Sequence, residues 1–231
     1  MLSGEMCGRF TLKNPSRLKF ERFNRSNFLP LVPRYNIAPT QNIVAITQRR
    51  AEREASLLQW GLIPCWSKEA KGFINARAET LTHKPSFAES FQRRRCLIPA
   101  DGFYEWERSG KIAQPYYFQL RKEMPFAFAG IWDEWQHGED TIRSCAIITT
   151  TANKLLAPIH DRMPVMLRQE SHELWLNEEF NPVKLGTLLT PFPADEMTSH
   201  AVSYDVNHVQ VDDEHLILPV QPNVGVTLRL F

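Results

Sequence analysis

The stretch RCLIPADGFYEW, residues 95–106, is a run of apolar and aromatic residues that predicts β-structure. Similar short runs lie on both sides of it, and the turn-forming residues between them also indicate strands. These runs are NIVAIT (42–47), SLLQWGLIP (56–64), PYYFQL (115–120), FAFAGIW (126–132) and SCAIITT (144–150). We therefore expect a mainly β chain with a few helices between the strands.

Helices are expected in three places. Asn14 followed by Pro15 is typical of a helix start, and we expect a short helix from there through Phe23. SHELWLNEEF (171–180), with Ser171 as its cap, and NPVKLGTLL (181–189) predict two helices near the C-terminus. The proline-containing LPLVPRYNIAPTQ (29–41) predicts an extended connection, and HAVSYDV (200–206) a return to the sheet.

Composition excludes several classes of protein. The chain has 231 residues, of which 43% are hydrophobic, so it is able to form a folded core in one domain. We find no apolar run long enough to span a membrane and no signal peptide, and the four cysteines form neither a zinc pattern nor a disulfide framework. We expect a cytoplasmic protein with reduced thiols.

Charge is nearly balanced, with 27 Lys and Arg against 26 Asp and Glu. Basic residues are nevertheless concentrated between Arg9 and Asn27 and again at Arg93–Arg95. Such clusters are able to bind phosphates, although a solvated helix face explains each of them equally well.

Polar residues interrupt the apolar pattern in GFINARAET (72–80). Asn75, Arg77 and Glu79 occupy alternate positions, so an extended segment places them on one face. They are candidates for a binding or catalytic site. The alternative is structural, since Asn75 and Arg77 are also suited to capping a turn and binding a nearby carboxylate.

Two further groups stand in apolar contexts. Asp101 and Glu105 lie among aromatics, and His160, Asp161 and Arg162 precede a proline-led strand. Desolvation by the aromatics would raise the pKa of the Glu105 carboxyl group, so that Glu105 could hold a proton near neutrality and donate it. Glu105 facing water, His160 as a core histidine and Asp161 with Arg162 as an exposed ion pair are the structural alternatives. A cysteine, a histidine, a carboxylate and an Asn/Arg pair together are typical of a nucleophilic site.

Seven motifs in order resemble the SRAP family, the SOS response-associated peptidases or abasic-site processing proteins. They are MCGRF (6–10), RYNIAPTQ (34–41), WGLIPCW (60–66), INARAET (74–80), CLIPADGFYEW (96–106), PIHDRMPVML (158–167) and VSYDVNHV (202–209). The resemblance implies an α+β fold in a single domain, a mainly β pseudo-barrel of bifurcated sheet with peripheral helices. It also implies an extension at residues 1–6 and an SRAP domain at residues 7–231.

The resemblance implies that the protein binds single-stranded DNA and captures a ring-opened abasic site through Cys7 as the first residue. Residues matching the family's site are Cys7 for cross-linking, Asn75 for orienting the adduct, Glu105 and His160 as acid/base pair, Arg9 and Arg77 for phosphates, and Trp66 for stacking. We expect no metal, no organic cofactor and no membrane, and a monomer that associates with the nucleoid when it acts on DNA.

The N-terminus departs from the family pattern, because MLSGE precedes Met6 and Cys7. Only initiation at Met6 or cleavage of the Met6–Cys7 bond would free the α-amine of Cys7. The SRAP name includes a peptidase, so a cysteine-type (auto)peptidase using Cys7 and His160 is an alternative function. A non-catalytic single-strand-binding module is the third. The ending VNHVQVDDEHLILPV (206–220) is also looser than the family pattern.

Overall fold

The computed structural model describes residues 8–17, 31–49, 52–107 and 112–222. The strands in these residues are β1 Phe10–Leu12, β2 Arg34–Ile37, β3 Asn42–Arg49, β4 Glu52–Trp60, β5 Asn75–Arg77, β6 Arg95–Ala100, β7 Gly102–Glu107, β8 Gln114–Leu120, β9 Phe126–His137, β10 Asp140–Thr151, β11 Arg162–Pro164, β12 Met166–Leu167 and β13 Met197–Ala201. The α-helices are α1 Ala88–Arg93, α2 His172–Leu176 and α3 Pro182–Gly186. None of the helices in these parts of the chain is long and apolar enough to cross a membrane.

Five strands close into a barrel. β3 pairs with β4 and β6, β9 pairs with β6 and β10, and a short parallel pairing of β10 with β4 completes the ring. A second sheet has the order β13-β8-β7-β1-β2, with β1 and β7 inside it. The predicted mainly β pseudo-barrel with peripheral helices is therefore confirmed.

Side chains of the barrel strands alternate between two apolar environments, as the pleat of a strand requires. One face lines the barrel and packs against the second sheet; it includes Leu58, Trp60, Phe128 and Ile147. Phe10 of β1, in the second sheet, packs into the same cluster. Phe10 makes edge contacts with Trp60 and Phe128, with ring centroids 5.2 and 5.7 Å apart. The other face packs against the helices through a separate cluster that includes Ile46, Leu97, Ala129, Ala146, Phe91, Trp175 and Leu185.

The predicted strands are all present, but residues 95–106 form two strands rather than one. β6 belongs to the barrel and β7 to the second sheet, with Asp101 between them. Of HAVSYDV, only His200 and Ala201 are in a strand, because Tyr204–Asn207 forms a 3₁₀ helix.

The two C-terminal helices, α2 and α3, are shorter than predicted. Residues 15–17 form a 3₁₀ helix, and residues 18–23 of the expected helix lie outside the described residues. Ser171 does not cap α2 with its side chain, whereas the Asn181 side chain accepts a hydrogen bond from the Lys184 amide at 3.0 Å and caps α3.

Asp101 joins the two sheets at the point where the chain passes from β6 to β7. Its buried carboxylate accepts hydrogen bonds from the Thr11 hydroxyl at 2.6 Å and the Asn14 amide at 2.8 Å, and its own amide donates to the Thr11 carbonyl. The Tyr117 hydroxyl lies 2.9 Å from the Thr11 hydroxyl. A Cβ at Gly102 would come within 2.0 Å of that tyrosine oxygen, so the turn requires glycine. The network fixes β1 in its place.

We expect Asp101→Ala to lower the free energy of unfolding by about 2–4 kcal/mol. Two hydrogen bonds to a buried carboxylate are lost, and the Thr11 hydroxyl and Asn14 amide lose their acceptor. Urea unfolding followed by circular dichroism measures the change. The exposed Asp140→Ala is the control, and equal values for the two variants would contradict the role of Asp101.

His172, at the start of α2, makes stability depend on pH. Burial lowers the pKa of its imidazole below the usual value of 6.5. The unfolded chain therefore takes up this proton first, and the free energy of unfolding falls as the pH drops below about 6.5. We expect His172→Gln to lose less stability than the wild type between pH 7.5 and 5.5, measured by urea unfolding at both values. An unchanged pH dependence would contradict this.

Candidate functional site

The N-terminal strand leads toward Glu105. Cys7 lies outside the described residues, which begin at Gly8. β1 pairs with β7 through Phe10 opposite Phe103, and the Tyr104 amide donates to the Arg9 carbonyl at 3.0 Å. The same antiparallel register places Gly8 beside Glu105.

Glu105 is a buried carboxylate on β7, with 3% of its surface exposed. It stands opposite Tyr116 of β8, and its strand lies between β1 and β8. The structural alternative in which Glu105 faces water from an edge strand is wrong, because β7 lies between β1 and β8. Acidic residues are seldom buried to this degree without a specific role or partner.

Asn75 and Arg77 lie on the same face of the short strand β5, as predicted. β5 runs parallel to β10, with Asn75 opposite Ile147 and Arg77 opposite Thr149. Ala76 between them is fully buried on the other face. Asn75 is half-buried and Arg77 is exposed, so the pair extends from the barrel wall to the surface.

His160 lies just before β11, which also pairs with β10. Its Nδ1 accepts a hydrogen bond from the Arg162 amide at 3.1 Å and lies 2.9 Å from the Asp161 carboxylate. When Nδ1 accepts this bond, a neutral imidazole carries its proton on Nε2. When the ring is protonated, Nδ1–H is able to donate to Asp161, which is 87% exposed. The Nδ1 atom of His160 therefore lies between the Arg162 amide and the Asp161 carboxylate.

An ion pair links the segment after β5 to β11. The Arg162 guanidinium donates two hydrogen bonds to the Glu79 carboxylate, each 2.9 Å long, and another to the Thr149 carbonyl at 2.6 Å. The hydrogen bonds from Arg162 hold the pKa of Glu79 below its usual value. The pairing of Arg162 with Asp161 was the structural expectation, and the structure instead pairs Arg162 with Glu79.

The candidate residues border one apolar cluster. Ile74 precedes Asn75, Ile159 precedes His160 and Tyr116 stands opposite Glu105, and all three pack against the cluster that contains Phe10. The Trp60 indole donates to the Ile74 carbonyl at 2.9 Å and contacts the Phe10 ring. Segments that are far apart in sequence are therefore fixed relative to β1.

Arg9 is held by the C-terminal part of the chain. Its guanidinium donates to the Val206 carbonyl at 2.9 Å, and burial lowers its pKa. Asn36 donates to the carbonyls of Val206, His208 and Val211 and so fixes the same segment. The ending that is looser than the family pattern is therefore closely bound to the second sheet.

Asp212 adds to this attachment. Its carboxylate binds the side chain of Arg34 and accepts hydrogen bonds from the amides of Tyr35 and Asn36. Sequence reasoning assigned no role to Asn36 or Asp212. The only available signal was the position of Asn36 in RYNIAPTQ, since contacts between residues 170 or more positions apart have no local pattern.

Trp66 is 61% exposed in the turn that follows β4, closed by a hydrogen bond from the Ser67 amide to the Pro64 carbonyl. It is therefore a surface residue and not part of the core. The basic surface expected at Arg93–Arg95 is wrong for Arg95. Arg95 is buried, and its guanidinium donates to the carbonyls of Phe91, Gln92, Trp175 and Asn177, so it supports the helices.

The fold and these residues define a closed β-barrel protein whose N-terminal strand runs along a buried glutamate. The chain belongs to the SRAP family: the family model described as SOS response associated peptidase matches residues 6–209.

Curated relatives share most of the chain. It is 44% identical over 221 residues to the abasic site processing protein YoqW of Bacillus subtilis, covering 92% of this chain and 99% of the relative. It is 33% identical to the abasic site processing protein HMCES of Xenopus tropicalis, covering 76% of this chain and 63% of the relative. A crystal structure of a Bacteroides thetaiotaomicron protein matches with a TM-score of 0.80 and 27% identity over 93% of this chain and all of that one.

Proposed function

We propose that the protein processes abasic sites in single-stranded DNA by covalent capture through Cys7. The observation that carries the proposal is the similarity to relatives named abasic site processing protein, at 42–44% identity over 91–92% of this chain. The buried glutamate beside the N-terminal strand supports it.

The capture begins with an amine. A ring-opened abasic sugar has an aldehyde, and the α-amine of an N-terminal Cys7, whose pKa is ~7.7, is partly neutral at cellular pH. The amine adds to the aldehyde carbon, and loss of water gives an imine. The thiol then adds across the C=N bond: sulfur bonds to carbon and the thiol proton goes to nitrogen. The product is a five-membered thiazolidine.

Amine and thiol belong to the same residue, so the second step is intramolecular and gains from proximity. Serine lacks the sulfur, and a lysine amine ends at an imine that water hydrolyses. An N-terminal cysteine is therefore suited to a durable adduct. This requires that residues 1–6 be absent or removed, so that the SRAP domain begins at residue 7.

The site residues take roles in this reaction. Glu105 and His160 exchange protons with the sugar during ring opening, loss of water and reversal, His160 through Nε2. Asn75 orients the adduct. Glu79 and Arg162 position the segments that carry Asn75 and His160, and they do so through their ion pair.

DNA binds through residues around this site. Arg77 is exposed and suited to a phosphate, because a guanidinium offers a planar fork of donors. Trp66 offers an exposed ring on which a base is able to stack. Arg9, held by Val206, contributes positive charge beside β1. A monomer associated with the nucleoid during repair fits this mode of binding.

A cysteine-type autopeptidase is the second candidate. The family description contains the word peptidase, and a peptide bond joins Met6 to Cys7. Cleavage of that bond would expose the amine that the first function needs. The intact mass of protein from the native gene shows whether the chain starts at Met1, Met6 or Cys7. Loss of processing in both Cys7→Ala and His160→Ala would favour self-cleavage.

The test of the main proposal is a denaturing gel. Protein that starts at Cys7 is incubated with a single-stranded oligonucleotide containing one abasic site, and a band that survives denaturation is the expected result. Binding without any such band would favour the non-catalytic single-strand-binding module.

A further inference from the structure

The loop that carries Trp66 is closed at its base. Leu62 and Phe73 form an antiparallel bridge in which the amide of each donates to the carbonyl of the other at 2.9 Å. Beside the bridge the two segments are so close that a Cβ on Gly72 would lie 2.3 Å from the Gly61 carbonyl oxygen, so this approach requires glycine. The loop, residues 63–72, therefore leaves and re-enters the fold at one fixed point.

Two side chains of β9 hold this loop on either side of Trp66. The Asp133 carboxylate accepts a hydrogen bond from the Cys65 amide at 2.9 Å, and the Trp135 indole donates one to the Ser67 carbonyl at 2.7 Å. Asp133 and Trp135 are two residues apart on β9 and so lie on one face of the strand. The residues immediately before and after Trp66 are therefore attached to the same barrel strand.

Both anchoring side chains are themselves fixed. Asp133 is 4% exposed and Trp135 is 6% exposed. The second carboxylate oxygen of Asp133 accepts a hydrogen bond from the Glu134 amide at 2.8 Å and lies 3.2 Å from the Arg94 guanidinium. The Trp135 ring stacks on the His137 imidazole, with the ring centroids 5.3 Å apart and the planes 2° from parallel. Rotation of either anchor would break these contacts, so the loop is attached to rigid groups.

Trp66 itself is 61% exposed between these two attachments. An indole offers a large flat surface, and it has only two χ angles to restrict when a ligand binds. Because the backbone on both sides is already held, less conformational entropy is lost on binding than in a free loop. A ring presented in this way is suited to stacking on a nucleobase.

We propose that Asp133 and Trp135 are positioning residues that hold Trp66 in place for stacking on a base of single-stranded DNA. The inference rests on the proposed function, which supplies the DNA. Both residues are buried, so they act through the backbone of residues 65 and 67 and not by touching the strand. The affinity for single-stranded DNA therefore depends on two side chains of the barrel wall.

Stacking on Trp66 does not need the free α-amine of Cys7. The test therefore uses the full chain and an undamaged, fluorescently labelled single-stranded oligonucleotide, and fluorescence anisotropy gives the Kd. Failure of covalent capture would contradict the Cys7 mechanism alone. Absence of binding by the wild type would overturn both the proposed DNA binding and this inference.

Trp66→Ala is expected to raise the Kd by about 5- to 150-fold, the range that alanine substitution gives for one stacked base. We expect Trp135→Phe to raise it by about three- to tenfold, because phenylalanine keeps a ring against His137 but does not donate to the Ser67 carbonyl. Trp175→Phe is the matched control. It loses an indole bond to the Cys96 carbonyl, 2.9 Å long, far from the loop in sequence, and should bind like the wild type.

The double variant separates positioning from a general structural role. If Trp135 acts through Trp66, Trp135→Phe has nothing left to position in a Trp66→Ala chain, and the Kd of the double variant should equal that of Trp66→Ala within about 1.5-fold. A further three- to tenfold loss in the double variant would overturn the proposal. So would wild-type affinity in Trp135→Phe.

Asp133→Asn serves where Trp135→Phe does not fold, which circular dichroism shows. Its single acceptor oxygen is able to serve the Cys65 amide or the Glu134 amide but not both in the present geometry. We expect a rise in Kd of about threefold or more, and none in the Trp66→Ala background. Wild-type affinity in Asp133→Asn would contradict the role of Asp133.

The salt dependence gives a second readout on the same variants. Stacking releases no counterions, so the slope of log Kd against log salt concentration should be the same in Trp135→Phe, Asp133→Asn and the wild type. A shallower slope in the variants would mean that the anchors act on phosphate contacts, and it would overturn the role assigned to them through Trp66.

Discussion

A chain that begins at Cys7 will form a denaturation-resistant adduct with a single-stranded abasic oligonucleotide, and Cys7→Ser will form none that lasts. The α-amine of the serine variant still reaches an imine, but no sulfur is present to close the ring. We therefore expect at least a ~100-fold loss of stable adduct on the scale of proximity effects. The measurement is the adduct fraction after heating in denaturant.

The full chain from Met1 is the matched control. It contains the same thiol, but the nitrogen of Cys7 is in an amide, so it should bind DNA in a gel-shift assay and form no thiazolidine. Adduct formation by the full chain, with Met1 still present by mass, would contradict the mechanism. An adduct that persists in Cys7→Ser would also contradict it.

Glu105→Gln and His160→Asn are expected to slow adduct formation by about 10²–10⁴-fold, the usual contribution of a general acid or base. Glutamine keeps the shape of the buried side chain at position 105 without its proton exchange. Asparagine at position 160 keeps an acceptor near the Arg162 amide. The measurement is the single-turnover rate with excess protein, so that DNA binding does not limit it.

Glu107→Gln is the matched control for Glu105. It lies two residues further along β7, on the same face, and its carboxylate accepts a hydrogen bond from the Tyr116 hydroxyl at 3.2 Å. We expect its rate to stay within about threefold of wild type. Comparable losses in Glu105→Gln and Glu107→Gln would indicate a general disturbance of β7 and contradict the catalytic role of Glu105.

Local sequence predicted the strands of the barrel well, because each has a long apolar run. It did not predict the break at Asp101, because that break is held by hydrogen bonds from Thr11 and Asn14, which are 90 and 87 residues away in sequence. The helix at α2 was predicted too long for a related reason. Its length depends on packing of Trp175 against β6 and not on propensity alone.

The sequence predicted which residue types form the candidate site better than it predicted which of them are in contact. Alternation placed Asn75 and Arg77 on one face of β5 correctly. It did not reveal the partner of Glu79, since Arg162 comes from β11, which is brought close only by β10.

The position of β1 inside the second sheet has a mechanical consequence. β1 has a hydrogen-bonded neighbour on each side, β7 and β2. If DNA is attached at Cys7, tension on the DNA reaches the protein three residues before this strand, along the strand axis. The hydrogen bonds of both ladders would then be loaded together in shear. An enzyme that pulls on the DNA would have to break them as a group before it could extract β1.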